Sequence, residues 1–337
     1  MSPDLEKWLR SLPKAETHLH LEGAVPYGLY RKYVEGLPTE VPYFWGDEFR
    51  YQSFDEFNGA LLSCALPFFN SIGRYREAAR AVFIECVSQG VRYLEISFHL
   101  GVVAGIDGVH PEEVIEAILG EVPDGLEVRV YAGLLHNDYN GVLREWIDEA
   151  PGWAGLHGFD LHGPEDLPFE EWTPRVWESM REAGKRNRAH AGEFRGAEFV
   201  SEVVESLGVD RVAHGVRAIE KREVLDLILT KGVTLDVCPI SNLKLGVEGV
   251  KRMGDHPIRR LFDEGISLTV SSDDPTFFGN RLIDDYAALY YDCGFSLREI
   301  GSVVKNGLRV ADIAEPDRRA LIADLDEILG RLREDKL

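Results

Sequence analysis

Two histidines one residue apart, His18 and His20 in the run KAETHLHLEGA, are the first side chains in this sequence suited to chemistry. On an extended strand, residues i and i+2 project from one face, so both imidazoles could reach a single ion. An H-x-H pattern alone is common by chance in a chain of 337 residues. Four further groups change its weight: His190 in HAGE, His214 in VAHG, and the adjacent Asp273 and Asp274 in SSDDP, each at the end of a short β-rich segment. Three histidines and one carboxylate make a borderline-soft donor set that suits zinc and leaves room for water. Glu193 follows His190 closely, past Gly192, on a tight turn that glycine permits. A carboxyl beside a closed apolar pocket has a raised pKa and can act as a general acid at neutral pH. The alternative for Glu193 is an acid at a helix N-terminus, held by the dipole.

Those groups need a scaffold that gathers them. Eight segments read as strands: Ala15–His20, Val91–Phe98, Leu126–Leu134, Gly155–Leu161, Asn187–His190, Arg211–His214, Val233–Cys238 and Ile266–Ser271. Amphipathic runs such as Tyr75–Gln89, Trp172–Ala183 and Ala197–Leu207 lie between them. Alternating strand and helix implies a parallel sheet with right-handed crossovers, and eight strands is the number that closes a barrel. The expectation is an α/β fold, a (β/α)8 TIM barrel formed by one domain over 1–337, with its active site at the C-terminal strand ends. A doubly wound open sheet is the competing architecture. A helical insertion, 27–73, follows strand one; it reads either as a lid over a flat apolar substrate or as a helical pair packed on the barrel end. The tail, 282–337, reads as C-terminal helices.

Composition narrows the partners. A formal net charge of -21 repels phosphate backbones and anionic lipid, so neither nucleic acid nor a membrane is expected. Hydrophobic residues make up 45%, enough for a large core, and no run of 18 apolar residues occurs. Cys64, Cys86, Cys238 and Cys293 show no framework spacing, which fits reduced thiols in a cytoplasmic protein. Cys238 reads as a buried strand residue, because no second cysteine follows it at C-x-x-C spacing. The fourth strand ends in FDLHG without a lysine that could bridge two metals, so one metal is expected.

The motifs resemble the adenosine and adenine deaminase family of zinc barrels. They are PKAETHLHLEGA (Pro13–Ala24), GFDLHGPE (Gly158–Glu165), HAGE (His190–Glu193), VAHG (Val212–Gly215), CPISN (Cys238–Asn242) and SSDDPTFFG (Ser271–Gly279), in the family's order, over roughly Leu12 to Tyr291. The resemblance implies hydrolytic removal of the 6-amino group of a purine, with one zinc ion per chain held by His18, His20, His190 and Asp273. It implies that His214 orients or deprotonates the attacking water and that Glu193 donates a proton to N1. Asp274 would share a hydrogen bond with N7, the backbone of Gly163 would meet N3, and His20 and Glu22 would border the substrate.

Substrate choice follows less directly. The expected substrate is adenosine or deoxyadenosine, with 6-aminodeoxyfutalosine and adenine as alternatives. Glu22 and DDPTFFG resemble the adenine and aminodeoxyfutalosine enzymes, whereas GFDLHGPE lacks the Ser-Ser-Glu of adenine-specific relatives. His162 replaces the small residue usual before Gly163, either lining the substituent side of the pocket or filling space. A catalytically dead purine-binding relative would have lost a ligand or Glu193, and all are present. HAGE and SDDP weigh against hydrolysis of other C–N or P–O bonds. Oligomeric state is left open.

Overall fold

In the computed structural model, which describes residues 1–165 and 167–332, all eight expected segments are strands. They are β1 (Lys14–His20), β2 (Val91–His99), β3 (Glu127–Leu134), β4 (Leu156–Leu161), β5 (Arg188–Ala191), β6 (Arg211–His214), β7 (Thr234–Val237) and β8 (Ser267–Val270). Each pairs in parallel with the next in sequence order, and no strand lies out of turn. A doubly wound sheet reverses its strand order at a switch point; this one does not, so the barrel reading holds. The last residues of the tail, 333–337, lie outside the described residues.

Closure between β8 and β1 uses few bonds, and they fall at the site. The amide of His20 donates to the carbonyl of Asp273 (3.1 Å), and the amide of Asp273 donates to the carbonyl of His18 (3.2 Å). The barrel is therefore sealed by the same three residues that carry candidate ligands. Asp273 adopts φ +66° there, and His214 adopts φ +62°; they are the two non-glycine residues in the left-handed region among those described. Such backbone costs about 1–3 kcal/mol and persists where surrounding bonds over-determine it.

Outer helices form where apolar residues recur at helical spacing. Leu297–Val310 buries Leu297, Ile300, Val303, Val304 and Leu308 along one face against β8 and β1. Ser296 caps it: its Oγ accepts from the Glu299 amide (3.2 Å), while Glu299 Oε2 accepts from the Ser296 amide (2.8 Å). Truncating Ile300 to alanine would cost about 2–5 kcal/mol through the cavity left behind.

Beneath the site the barrel interior is ionic rather than aliphatic. Arg188 donates to Asp160 Oδ2 (2.8 Å), Arg211 binds Glu95, and Thr17 and Thr269 donate to Asp236. Every charge in this buried set has an opposite partner, the condition under which buried charge is tolerated. Lys14 at the base of β1 donates from Nζ to the carbonyls of Leu9 and Leu12 (2.8 Å to the latter) and so ties down the end of the helix Pro3–Ser11.

The insertion after β1 contains the helices Tyr27–Tyr33 and Phe54–Phe68 and a 3-10 turn at Tyr43–Trp45. Its aromatic residues are sewn to the segment that follows β8. Trp45 Nε1 donates to the Thr276 carbonyl (2.6 Å), Tyr51 Oη donates to the Phe277 carbonyl (2.9 Å), and Phe57 stacks on Phe278. After β8 come the helices Leu282–Tyr291, Leu297–Val310 and Glu315–Gly330. Among the described residues, no helix is long and apolar enough to cross a membrane.

Candidate active site

At the C-terminal ends of the strands, Nε2 of His18 and Nε2 of His20 lie 3.2 Å apart, and each lies 3.2 Å from Oδ1 of Asp273. Two donors about 2.0–2.2 Å from a tetrahedral zinc stand roughly 3.3–3.6 Å from each other. The triangle is thus close to the size that one such ion requires. Donor atoms of His18, His190, His214 and Asp273 also fall within 4.8 Å of one another, as do those of His20, Asp273 and Asp274. His214 stands further off, with Nε2 3.9 Å from Oδ2 of Asp273.

The outer nitrogens explain why the rings face inward. Nδ1 of His190 lies 3.1 Å from the Leu161 carbonyl and 3.2 Å from Oδ1 of Asp160. Both partners are acceptors, so Nδ1 holds the proton and Nε2 keeps a lone pair for a metal. Nδ1 of His18 lies 3.5 Å from Sγ of Cys238, whose own hydrogen points to the Asp236 carbonyl, which leaves Nε2 of His18 free in the same way. Nδ1 of His20 lies 2.8 Å from Oγ of Ser97. Burial pushes His18 down to about 4, so its imidazole is neutral at neutral pH.

Cys238 departs from the expected placement. It is buried, but it lies one residue past β7, at the start of the helix Pro239–Lys244, where it backs a candidate ligand. Asp273 and Asp274 likewise lie beyond β8, which ends at Val270. Ser241 Oγ donates to Asp273 Oδ2 (2.6 Å), and Glu16 Oε1 accepts from the Ser272 amide (2.8 Å), so side chains rather than a strand ladder hold this segment.

Glu193 sits on the turn that Gly192 makes at φ +72°. The next helix, Ala197–Ser206, begins four residues later, so Glu193 is not an acid of its first turn. Burial, and then the charges of Asp273 and Glu165, push its carboxyl well above the usual range. Oε1 accepts from Asn242 Nδ2 (3.2 Å), and Oε2 lies 3.5 Å from Nε2 of His214. The turn itself is held by Glu165, whose carboxylate accepts from the amides of Glu193 (3.1 Å), Phe194 (2.9 Å) and Arg195 (2.6 Å). Asp274, 5% exposed, is pushed well above its usual range by burial and by Asp273. Its carboxyl packs where a Cβ on Gly23 would lie 1.6 Å from Oδ1, so only glycine fits at that position.

These groups open into a cavity of about 290 Å³. His20, Glu22, Gly163, His190, Glu193, His214, Asp273 and Asp274 line it, so every residue expected to touch substrate meets there, with His18 buried directly behind. Glu22 Oε1 accepts from the His99 amide (2.9 Å). The helix Phe54–Phe68 roofs the cavity with Phe54, Phe57, Leu61 and Leu62. Sequence reasoning missed His99, Asn242, His256 and Glu165. Asn242 and Glu165 lay inside motifs already singled out; His99 and His256 carried no spacing signal.

Comparison with known proteins agrees with this geometry. A family model described as "Adenosine deaminase" matches residues 13–328. An adenine deaminase of Rhizobium meliloti is 33% identical over 331 residues, covering 93% of this chain and 98% of its own. The crystal structure of an adenine deaminase from Arthrobacter aurescens superposes with a TM-score of 0.82 at 25% identity, covering 95% of this chain and 99% of that one. A zinc-containing amidohydrolase structure from Burkholderia ambifaria shares the fold, with a TM-score of 0.84 at 19% identity over 98% of this chain and 95% of its own. The chain belongs to the adenosine deaminase family.

Proposed function

We propose that this protein hydrolyses the 6-amino group of a neutral purine nucleoside, adenosine or deoxyadenosine, releasing ammonia and leaving a 6-oxopurine. The observation that carries this reading is the triangle of His18, His20 and Asp273 with the raised carboxyl of Glu193 beside it. His18, His20, His190 and Asp273 would hold one zinc, which supplies a Lewis acid that brings the pKa of water to roughly 7. The zinc named in the Burkholderia ambifaria structure supports that choice of metal.

Glu193, whose burial favours the neutral carboxyl, donates to N1, so the ring accepts electrons as oxygen bonds to C6. Asp274, pushed toward its neutral form by burial and by Asp273, shares a hydrogen bond with N7. The Gly163 amide, at φ +96°, meets N3. His214 holds the attacking water. When the C6–N6 bond breaks, one hydrogen of the water has ended on N1 by way of Glu193 and the other leaves with ammonia. The helix Phe54–Phe68 excludes bulk water, which strengthens each of these polar contacts.

The choice of a neutral nucleoside rests on the lining. Among the described residues it includes Glu22, Asp55, Glu193, Asp273 and Asp274, and neither lysine nor arginine. A phosphate or a carboxylate on the substituent would meet Asp55 with no cationic side chain to offset it. That weighs against nucleotides and against 6-aminodeoxyfutalosine, which carries a carboxylate. Asn58, His99 and Asn137 also line the cavity and offer hydrogen bonds to hydroxyls. A second reading, free adenine, is favoured by relatives such as the Rhizobium meliloti enzyme, named adenine deaminase. Ammonia release from adenine, adenosine, deoxyadenosine and adenosine monophosphate tests both; faster turnover of the monophosphate than of either neutral class would refute the charge argument.

A further inference from the structure

A chain of hydrogen bonds enters the site from the segment before the helix Ile258–Asp263. The backbone amide of Ile258 lies 3.1 Å from Nδ1 of His256. A backbone N–H only donates, so this nitrogen is unprotonated and the neutral ring carries its proton on Nε2. His256 is 4% exposed, and burial pushes it down to about 3, so the ring is neutral throughout the working range. Its Nε2 lies 3.2 Å from Oδ1 of Asn242 and donates to it. That bond decides which way the Asn242 amide faces, a choice that heavy-atom positions alone leave open. Nδ2 must point inward, 3.2 Å from Oε1 of Glu193 and 3.1 Å from Nδ1 of His214.

An amide nitrogen has two hydrogens and no lone pair to offer, and here it meets two acceptors. Nδ1 of His214 therefore accepts, and the proton of the neutral ring resides on Nε2. Oε1 of Glu193 also accepts, so the carboxyl in its acid form carries its hydrogen on Oε2. We propose that His256 and Asn242 are positioning residues that assign both protons, one to Nε2 of His214 and one to Oε2 of Glu193. The two proton-bearing atoms lie 3.5 Å apart and face the cavity.

Resting on the deaminase reading, this separates His18 and His190 from His214 by role. His18 and His190 are turned by Cys238, Leu161 and Asp160 to present lone pairs on Nε2. His214 is turned by Asn242 to present a hydrogen. It serves as a hydrogen-bond donor to oxygen at the reacting centre, not as a metal ligand or a base through Nε2. The motif CPISN thereby gains a function for its last residue.

The test is nitrogen NMR of the zinc-loaded enzyme carrying labelled histidine. In the wild-type protein, His214 should show a protonated Nε2 and an unprotonated Nδ1. Asn242→Asp replaces the inward donor with an acceptor, so the proton of His214 should move to Nδ1. Turnover should then fall by about 10²- to 10⁴-fold in kcat, as expected for an imidazole held in the wrong tautomer, with KM changing far less. His256→Leu, which keeps Asn242 but frees its amide to turn, should give a mixture of the two signatures. An unprotonated Nε2 in the wild type would overturn the proposal, as would an unchanged signature in Asn242→Asp. If that variant does not fold, the wild-type spectrum and His256→Leu still decide. Failure to deaminate any 6-aminopurine would refute the functional reading while leaving the spectrum as the judge of proton placement.

Discussion

Asp273 meets His20 twice: its carbonyl accepts from the His20 amide at 3.1 Å, and its Oδ1 lies 3.2 Å from the His20 ring nitrogen. One residue thus closes the barrel and completes the candidate metal triangle. Fold and site are coupled at this seam, because a shift between β1 and the segment after β8 would move ligands on both sides.

Replacing Asp273 by Asn keeps the backbone bonds and removes the anionic donor. Bound zinc should fall at least about 10- to 100-fold in affinity, the range seen when groups supporting a ligand are lost. Metal analysis after dialysis against a weak chelator reads this directly. Wild-type zinc retention in Asp273→Asn would remove Asp273 from the ligand set.

Glu193→Gln keeps the acceptor for Asn242 and loses the acid. Turnover should fall by about 10²- to 10⁴-fold, the usual contribution of a general acid, while zinc content stays at the wild-type level. Steady-state kinetics beside metal analysis separates these effects. Activity within a few-fold of wild type would show that Glu193 does not protonate the ring.

Much of this was legible because the chemistry sits at strand ends, where a short periodic signal and a histidine coincide. Eight strands could be placed to within a residue or two, and His18, His20, His190 and His214 followed from them. Asp273 was found by type, but not its conformation: the left-handed backbone after β8 depends on bonds to β1, more than 250 residues away in sequence. Asn242, His256 and Glu165 act by orienting other groups, a role fixed by contacts between separate loops and so absent from local spacing. The roofing face of Phe54–Phe68 was similarly hidden. Its apolar residues pack partly against the segment after β8, so helical periodicity alone does not tell which face meets the cavity.

His162 lines the cavity beside Gly163, with its ring 4.9 Å from that of His99 and 5.3 Å from that of His20. It fits there because position 133 is glycine; a Cβ would lie 2.3 Å from its Nε2. His162→Ser should change the ratio of kcat/KM for adenosine over adenine by about tenfold or more, in the range that one pocket group can discriminate. Equal changes for both substrates would show that His162 only fills space.

Lys14 gives a pH signature separate from catalysis. Burial, with Arg92 and Arg10 nearby, pushes its amine down to about 7, against about 10.4 for an unfolded chain. Between those values the unfolded chain binds the extra proton, so the penalty for burying Lys14 is full below pH 7 and fades as pH rises. Comparing urea unfolding of the wild type and Lys14→Met, the difference should move in favour of the wild type from pH 7 to 10, by on the order of a few kcal/mol. A difference independent of pH would mean that Lys14 is not desolvated.

Metal content measured together with ammonia release tests zinc-dependent attack on the carbon that bears the 6-amino group of a neutral purine. The purified protein should hold one zinc per chain and release ammonia from adenosine, deoxyadenosine or adenine. Chelation should abolish that activity and added zinc should restore it. A metal-free protein that still deaminates, or a zinc-loaded protein that releases ammonia from none of the three, would contradict it.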